Sequence, residues 1–346
     1  MKNLTDEPGD LRKLHSRHIP TLGGVIIFAG TLFSVTLWMP ILATYSPAAA
    51  QIASSEVYFL IAALLIMFFI GIKDDIVGTS AIYKLLANIM VGMVLVLMAD
   101  IRILGFHGLF GIHKIPYWAS VFLSVLTFVV TINAFNFIDG LDGLAGGIGF
   151  IISAAFGIWF ILSGNMALAG LAFALSGALL GFLIYNFSPA KIFMGDSGSL
   201  FIGLILCTLG IMLIKAHASE LPAFMVTVSR PLLVMGLFAY PLMDLIRVTV
   251  IRVFRGVSPF TADRNHIHHV LIDLNLGHRK SSIFLYMYTI VVGGLVVLVR
   301  GMDPTLAFVI VGSFAVITLQ IPIILRHRLR KRNTGIVKEM DHQQAM

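Results

Sequence analysis

Five aspartates interrupt a chain whose other residues are mostly apolar. Asp74 and Asp75 are adjacent, Asp139 and Asp142 are three residues apart, and Asp196 lies in a segment rich in glycine and serine. Carboxylates are costly near a lipid bilayer and are usually retained there for chemistry or ion passage. Carboxylate oxygens are also the ligands that phosphate-carrying divalent cations prefer. The five aspartates therefore indicate a site for a metal ion and phosphates, provided that the fold brings them to one surface.

The segment from Gly71 to Gly78 places Asp74 and Asp75 at the predicted end of an apolar helix. Two adjacent carboxylates repel each other unless a cation or a proton lies between them. We therefore predict that the pair binds magnesium or that one member acts as a proton-accepting base, and both are candidate catalytic residues. The alternative is a solvated helix end in which the pair is neutralised by Lys73.

The segment from Asn133 to Gly147 combines carboxylates, amides and glycines. Asp139 and Asp142 are three residues apart and Asn136 precedes Asp139 by three, so on a helical turn all three share one face. The glycines allow a ligand to approach the backbone and let N–H groups face anions. We predict a cradle for phosphate and metal, with Asp139 and Asp142 as candidate catalytic residues. A helix-packing seam of small residues is the alternative, and it explains the glycines but not the polar side chains.

Asp196 lies in the segment from Asn186 to Ser199, which leads into a further apolar helix. Ser197 or Ser199 is predicted to cap that helix, whose N-terminal N–H groups favour an anion. Since Asp196 would repel a bare phosphate, a bridging metal ion is expected there. An ordinary aspartate N-cap is the alternative.

Three histidines, His266, His268 and His269, follow Arg264 in a polar loop that begins at Arg252. They suggest zinc at first, but no Cys or Glu is spaced to complete a ligand set. Imidazole and guanidinium groups also donate hydrogen bonds to phosphates and sugars. We therefore predict that the loop binds a nucleotide diphosphate and its sugar, with solvated surface histidines as the alternative.

The composition identifies the class of protein that must position these groups. Of 346 residues, 58% are hydrophobic and 12% are charged, and the mean hydropathy is +0.95. A soluble domain needs more polar surface, so the chain is predicted to be an all-α polytopic membrane protein. The single Cys207 lies in an apolar run and is expected to pack against lipid or another helix. The charged opening stretch has no apolar core and is not a signal peptide.

Ten apolar runs are candidate transmembrane helices. They form a catalytic domain (21–325) between an N-terminal cytoplasmic segment (1–20) and a basic cytoplasmic tail (326–346). The third run is short for a bilayer, and the fifth and sixth are separated only by Gly164 and Asn165, so two could be re-entrant. The ten runs are about 21–39, 57–72, 85–99, 117–135, 146–163, 166–185, 199–214, 231–250, 282–300 and 305–325.

The distribution of positive charge orients the chain. With both termini inside, 19 of the 24 Lys and Arg residues fall on the inner side, which satisfies the positive-inside rule. The basic tail is then explained by this orientation and by its attraction to anionic lipid headgroups. No nucleic-acid partner is expected. The polar segments described above also fall inside, as expected of an enzyme that uses a cytosolic nucleotide.

Taken in order, these motifs resemble those of the polyprenyl-phosphate N-acetylhexosamine-1-phosphate transferases. The resemblance covers the chain from about Arg12 to about Leu271. It implies transfer of a sugar 1-phosphate from a UDP-sugar to undecaprenyl phosphate, with release of UMP, on the cytoplasmic side of the bacterial inner membrane. The motifs that carry it are Pro20-Thr-Leu-Gly-Gly24, Asp74-Asp75, Asn133 to Gly147, Phe193-Met-Gly-Asp-Ser-Gly-Ser199 and His266-Ile-His-His269.

The resemblance also implies ligands and partners. Mg²⁺, with Mn²⁺ as an alternative, would be held by Asp196 and the amide oxygen of Asn136 and would neutralise the pyrophosphate. The partners would be a UDP-N-acetylhexosamine, undecaprenyl phosphate and the bilayer, with a homodimer left open as the oligomeric state. The substrate-binding residues would be Asn133, Lys191, Arg264, His266, His268 and His269.

The catalytic roles that the resemblance implies fall on the remaining carboxylates. Asp74 or Asp75 would accept the proton of the lipid phosphate or position that phosphate. Asp139 and Asp142 would orient the nucleotide or the water shell of the metal. The phosphate oxygen would then attack the sugar-bearing phosphorus in line.

Details of two motifs place the chain within the family. The peptidoglycan enzyme, which uses UDP-N-acetylmuramoyl-pentapeptide, has three consecutive histidines and a lysine soon after its aspartate pair. This chain has His-Ile-His-His, and Gly78 and Thr79 where that lysine is sought. It is therefore similar to the branch that primes O-antigen, enterobacterial common antigen or teichoic acid with N-acetylglucosamine, the peptidoglycan reaction being the alternative. Members of the family usually have a further helix before the segment that begins here at Arg12, but only about 11 residues precede Arg12 in this sequence. Either the true start lies upstream of Met1 or the protein is naturally short.

The main rival belongs to a different class, the cation-coupled membrane transporters, in which Asp74 and Asp139 would relay protons. Transporters tend to place such carboxylates near the middle of the membrane, in interrupted helices. These aspartates lie at predicted helix ends, and the two halves of the chain show no internal repeat. The sequence thus favours the transferase.

Overall fold

A computed structural model describes residues 5–6, 19–45, 55–258 and 265–344. Over these residues the regular structure is helical, apart from one antiparallel pair of two-residue strands, β1 (Thr5–Asp6) and β2 (Ile19–Pro20). The all-α polytopic class predicted from composition is confirmed. Most of the predicted N-terminal segment 1–20 lies outside the described residues.

Apolar runs separated by glycine, proline and polar loops form the helices. Each helix satisfies its backbone hydrogen bonds internally, as a bilayer requires. In chain order the α-helices of the described residues are α1 (Gly23–Tyr45), α2 (Ser55–Val77), α3 (Ala81–Leu97), α4 (Tyr117–Ile138), α5 (Leu144–Leu162), α6 (Met166–Asn186), α7 (Gly195–Lys215), α8 (Ala223–Val226), α9 (Arg230–Leu237), α10 (Ala239–Phe254), α11 (Ile267–Asp273), α12 (Gly277–Leu298) and α13 (Pro304–Gln344).

Seven of these helices are long and apolar enough to cross a membrane, namely α2, α4, α5, α6, α7, α12 and the first part of α13. The pair α9 and α10, bent by 68°, makes an eighth span if it is counted as one. Helix α3 is apolar but shorter, and in α1 the apolar stretch Gly23–Trp38 is of similar length. Each of the ten predicted runs therefore forms a helix or a helix pair, and the predicted shortness of the third is confirmed. The predicted domain boundary at residue 325 lies inside the continuous helix α13.

Helix α7 lies at the centre of the bundle. In its apolar window 94% of residues are buried, compared with 28% in α2 and 22% in α13. Helix α7 is enclosed because it contacts α1, α2, α4 and α5. Cys207 is buried in α7, so it packs against other helices rather than lipid.

Two glycines let neighbouring helices approach the first turn of α7. A Cβ at Gly71 in α2 would lie 2.3 Å from the Cα of Ser197, and a Cβ at Gly24 in α1 would lie 2.2 Å from the Ser197 Oγ. Both distances are far shorter than nonbonded contacts, so a larger residue would force the helices apart. The close approach of α2 brings Asp74 and Asp75 beside the start of α7.

Polar groups gather at the two ends of the bundle. Asp196 begins α7 at one end, together with the other four aspartates singled out from the sequence. At the other end of α7, Lys215 lies 2.9 Å from Asp100, which also accepts a hydrogen bond from Arg102. The aspartates are therefore sorted to one end of the helices, as the threading of the chain predicts.

We expect Gly71→Ala to lower the melting temperature of the purified protein. The added methyl group forces α2 away from α7, and such overpacking costs about 1–3 kcal/mol. The matched control is Gly181→Ala in α6, where a Cβ meets nothing within 4 Å. That variant should be neutral or slightly stabilised, because alanine favours helix more than glycine does. Thermal unfolding in detergent compares the two, and equal melting temperatures would contradict the close approach of α2 to α7.

Candidate active site

Helix α2 ends just after the aspartate pair because Gly78 adopts a left-handed conformation. Its φ is +81°, and its N–H donates to the Asp74 carbonyl at 2.9 Å. Successive side chains on a helix point about 100° apart around its axis. The adjacent carboxylates therefore diverge, Asp75 toward α7 and Asp74 toward α3.

Asp75 caps the neighbouring helix α7. Its carboxylate accepts hydrogen bonds from the N–H of Asp196 at 2.8 Å, the N–H of Ser197 at 3.1 Å and the Oγ of Ser197 at 2.7 Å. The N–H groups of a first helical turn have no partner within their own helix. The prediction that Ser197 or Ser199 caps α7 is wrong, because both serines lie inside the helix and the acceptor comes from α2.

Lys84, in the first turn of α3, links Asp74 with Asp196. Its Nζ lies 2.8 Å from Asp74 Oδ2 and 2.5 Å from Asp196 Oδ2. Asp74 Oδ1 also accepts a hydrogen bond from the N–H of Thr79 at 2.6 Å. The alternative of a helix end neutralised by Lys73 is wrong, because Lys73 is exposed and Lys84 supplies the positive charge. Sequence reasoning missed Lys84, although a charged residue inside an apolar helix is itself a functional signal.

Asn136 reaches Asp196 from α4. Its Nδ2 lies 3.0 Å from Asp196 Oδ1 and 3.0 Å from the Ser199 Oγ. A half-turn of the amide exchanges its nitrogen and oxygen, so Asn136 can present either group at this place. Asp196 is therefore the residue on which α2, α3 and α4 converge, through Asp75, Lys84 and Asn136.

Asp139 follows the last residue of α4, close to this cluster. Burial and the nearby carboxylates of Asp196 and Asp75 raise the pKa of Asp139 to about 8. Within the part of the chain that the structure describes, no hydrogen-bond donor contacts its carboxylate. The cluster sets the carboxyl groups of four aspartates, at 74, 75, 139 and 196, against the one ammonium group of Lys84, and a divalent cation with oxygen ligands suits it.

Asp142 lies apart from Asp139, and the predicted common helical face is wrong. The residues between them form a turn that joins α4 to α5, and Gly143 within that turn has a φ of +76°. Asp142 accepts a hydrogen bond from the N–H of Ala190 at 3.1 Å and lies 3.2 Å from His278 Nδ1. Although burial raises it, contact with His278 holds the pKa of Asp142 below its usual value. Asp142 thus fastens the turn to two other segments, and its catalytic role stays a prediction.

The histidine segment packs against the same turn. A Cβ at Gly140 would lie 2.7 Å from the Nε2 of His268, and the ring centroids of His268 and His269 are 4.4 Å apart. Burial, reinforced by the neighbouring imidazoles, lowers the pKa of His268 well below its usual value, so this histidine is neutral. Because His266 and His268 are both buried, the alternative of solvated surface histidines is wrong for them.

The other residues predicted to bind substrate are less tightly placed. Arg264 lies outside the described residues. Lys191 is exposed on the loop between α6 and α7. Asn133 donates from its Nδ2 to the Val129 carbonyl at 2.7 Å, within its own helix. The substrate-binding roles of these three residues stay predictions.

Comparison with known proteins gives a family match over the same part of the chain. Residues 57–214, which include Asp74 and Asp196, match the family described as Glycosyl transferase family 4. An undecaprenyl-phosphate alpha-N-acetylglucosaminyl 1-phosphate transferase of Yersinia pestis is 30% identical over 82% of this chain and 73% of its own length. Its Escherichia coli counterpart is 30% identical over 82% and 72%. A decaprenyl-phosphate N-acetylglucosaminephosphotransferase of Mycobacterium leprae is 32% identical over 80% and 72%.

We expect Asp75→Ala to destabilise the protein, because donors at the start of α7 lose their acceptor. Hydrogen bonds to a charged acceptor contribute about 1.5–3 kcal/mol each. Asp74→Ala is the matched control, since it deletes the adjacent carboxylate while Lys84 keeps its contact with Asp196. Its melting temperature in detergent should stay closer to that of the wild type. A larger loss in Asp74→Ala would show that the cap from α2 is not the stabilising contact.

Proposed function

Because this chain belongs to the polyprenyl-phosphate N-acetylglucosamine-1-phosphate transferase family, we propose that it transfers N-acetylglucosamine 1-phosphate from UDP-N-acetylglucosamine to undecaprenyl phosphate and releases UMP. The observation that carries the proposal is the convergence of Asp74, Lys84, Asn136 and Asp196 at one end of a membrane bundle. Such a reaction must hold a diphosphate and a lipid phosphate side by side at a bilayer surface. Its product would begin a cell-envelope polysaccharide.

Mg²⁺, with Mn²⁺ as an alternative, is the proposed cofactor. Asp196 and Asn136 would hold it, because carboxylate and amide oxygens are the donors that these hard cations prefer. Burial, with the carboxylates of Asp196 and Asp75, raises the pKa of Asp139, and a cation bound here would offset that cost of ionising it. The bound ion would supply neutralisation of the diphosphate charge.

Lys84 and Asp74 are assigned to the lipid phosphate. They lie where α2 meets α3, beside the exposed apolar side chains of Tyr83 and Leu86. A polyprenyl chain can lie against this surface while its phosphate reaches the ammonium group of Lys84. Of the aspartate pair, Asp74 is the member placed beside Lys84 and so beside the lipid phosphate, whereas Asp75 is held at the start of α7 by its hydrogen bonds.

The donor is assigned to the opposite side of the cluster, where the histidine segment packs against the turn after α4. There His266, His268 and His269 would face the sugar and the diphosphate of the UDP-sugar. An oxygen of the lipid phosphate attacks the sugar-bearing phosphorus, forming one P–O bond while the P–O bond to UMP breaks. Lys84 offsets the negative charge of the attacking phosphate, and Asp139 orients the nucleotide.

We assign the protein to the bacterial inner membrane, with this end of the bundle facing the cytoplasm. The threading predicted from the sequence assigns 19 of the 24 Lys and Arg residues to the same side as the aspartates, which supports this orientation. UDP-sugars are made in the cytoplasm, so the donor would be met on the correct side. The bacterial relatives are named for undecaprenyl phosphate, a lipid, which supports a membrane location.

A labelled-transfer experiment tests the function. Purified protein in detergent is supplied with undecaprenyl phosphate and UDP-N-acetylglucosamine labelled in the sugar, and we expect labelled lipid together with an equal amount of UMP. UDP-N-acetylmuramoyl-pentapeptide is tested in parallel, because Lys84 reaches Asp74 and the lack of a lysine at residues 78–79 does not by itself exclude that donor. A cation-coupled transporter would form neither product.

We expect Asp196→Asn to remove most of the transfer activity while the protein stays folded. Loss of one charged ligand should cost several kcal/mol of transition-state stabilisation, equivalent to roughly 10²-fold or more in rate. Folding should persist because Asp75 binds the backbone N–H of residue 196, not its carboxylate. Mn²⁺ binding measured by electron paramagnetic resonance should weaken in parallel. Asp100→Asn, at the other end of the bundle, is the control; normal turnover by Asp196→Asn would refute the ligand role.

We expect Lys84→Met to raise the KM for undecaprenyl phosphate and to lower kcat, because methionine keeps the length of the side chain but not its charge. A positioned charge at the reacting phosphates is worth roughly 10²-fold or more in rate. Lys73→Met, which removes an exposed charge next to Asp74, is the matched control and should stay near wild type. Steady-state kinetics with each substrate varied in turn is the measurement. A defect confined to the UDP-sugar would place Lys84 on the donor instead.

A further inference from the structure

Asp244 is a fully buried carboxylate that lies outside the acidic cluster. It stands in α10 beneath the histidine segment and is 0% exposed. Its Oδ1 accepts a hydrogen bond from the N–H of Ile267 at 2.8 Å, and its Oδ2 lies 2.8 Å from the Nδ1 of His266. Arg247 Nη1 is 4.0 Å from Oδ1. A buried carboxylate is costly unless it is paired, so these contacts account for its presence in an apolar helix.

The pairing determines which nitrogen of His266 carries the proton. An ionised carboxylate only accepts hydrogen bonds, so the proton must lie on Nδ1. The Nε2 atom is then left with its lone pair, and it faces Nη2 of Arg252 at 3.4 Å. A proton on Nε2 would instead oppose the N–H of the guanidinium group. Asp244, His266 and Arg252 therefore form a chain of contacts in which each donor meets an acceptor.

This chain ends on the turn that carries the acidic residues of the active site. The guanidinium of Arg252 lies 5.5 Å from the ring centroid of Phe137, and the ring of His266 meets the same ring edge-on at 5.7 Å. Phe137 is adjacent to Asn136 in the sequence and two residues before Asp139. The orientation of His266 is thus coupled by packing to the segment that faces Asp196.

We propose that Asp244 is a positioning residue that holds His266 as the Nδ1–H tautomer and thereby aligns the histidine segment with the diphosphate and sugar of the donor. The inference rests on the proposed donor role of His266, His268 and His269. Asp244 is 0% exposed, so the proposal has it act through His266 and not by contact with the donor. Its removal should therefore affect use of the UDP-sugar and leave binding of the lipid phosphate unchanged.

A metal site is the competing interpretation, since Asp244, His266 and His268 offer ligand atoms that lie within 4.8 Å of one another. Two observations favour the proton-mediated pairing. The 2.8 Å separation of Asp244 Oδ2 and His266 Nδ1 is a hydrogen-bond length, and the second carboxylate oxygen is engaged by a backbone N–H. The guanidinium of Arg252 also lies against His266, so a bound cation would meet a fixed positive charge.

The test uses Asp244→Asn, which keeps the shape but leaves a single acceptor oxygen. The N–H of Ile267 cannot change its polarity, so it should keep the oxygen, and the amide NH₂ then faces His266 Nδ1. His266 must then carry its proton on Nε2, and that N–H group would face the N–H groups of Arg252 Nη2. We expect kcat/KM for UDP-N-acetylglucosamine to fall by roughly 10–100-fold, as is typical when a group that orients a functional histidine is lost. The KM for undecaprenyl phosphate should not change. Asp100→Asn is the matched control and should behave as wild type.

The tautomer is read directly by long-range proton–nitrogen correlation spectra of histidine-labelled protein, with the His266 signals identified by their loss in His266→Gln. Wild-type protein should show Nδ1–H, and this readout does not depend on turnover or on the folding of Asp244→Asn. An Nε2–H signal in the wild type, wild-type kinetics in Asp244→Asn, or a defect confined to the lipid substrate would overturn the proposal. So would stoichiometric zinc that copurifies with the wild type and is lost in Asp244→Asn. If no UDP-sugar is turned over but His266 carries its proton on Nδ1, the proposed function fails while the Asp244 pairing stands.

Discussion

The contact between the Asp75 carboxylate and the first turn of α7 is the constraint on which the active site depends. Helix α7 is enclosed by other helices, so its first N–H groups need an acceptor from a neighbour. Helix α2 supplies that acceptor, and Gly71 allows the helices to come close enough for it. Because Asp74 directly precedes Asp75 in α2, placing Asp75 also places Asp74 within reach of Lys84.

The acidic cluster that is built on this contact concentrates negative charge close to the bilayer. Lys84 lies between Asp74 and Asp196, while among the described residues the charged groups that raise the pKa of Asp139 are the carboxylates of Asp196 and Asp75, acting together with burial. Such an arrangement is unfavourable for the isolated protein and favourable for a cation and phosphates, a trade between stability and activity that binding sites often show. The position at helix ends lowers the cost, because water is nearer there than at the membrane centre.

Two networks meet at the end of α4, and the spacing of residues separates them. Asn136 and Asp139, three apart, face the cluster around Asp196. Phe137 and Gly140, also three apart, face the histidine segment. One helix end thus presents one pair of residues to the cluster that contains the proposed metal site and another pair to the histidine segment. Asp142 binds this turn to Ala190 and His278. The turn after α4 therefore fixes the position of the acidic cluster relative to the histidine segment.

The amino-acid sequence by itself determined the class of protein, the approximate helices and the membership of Asp74, Asp196 and Asn136 in one site. Hydrophobicity follows directly from composition, and the cost of carboxylates near lipid makes them conspicuous. The tertiary structure alone decided which of two adjacent aspartates caps a helix and which pairs with Lys84, because that depends on the rotation of α2 against α7. It also decided that Asp139 and Asp142 diverge and that Asp244 reaches His266. Such contacts join residues far apart in the sequence, and no local spacing encodes a distance set by helix packing.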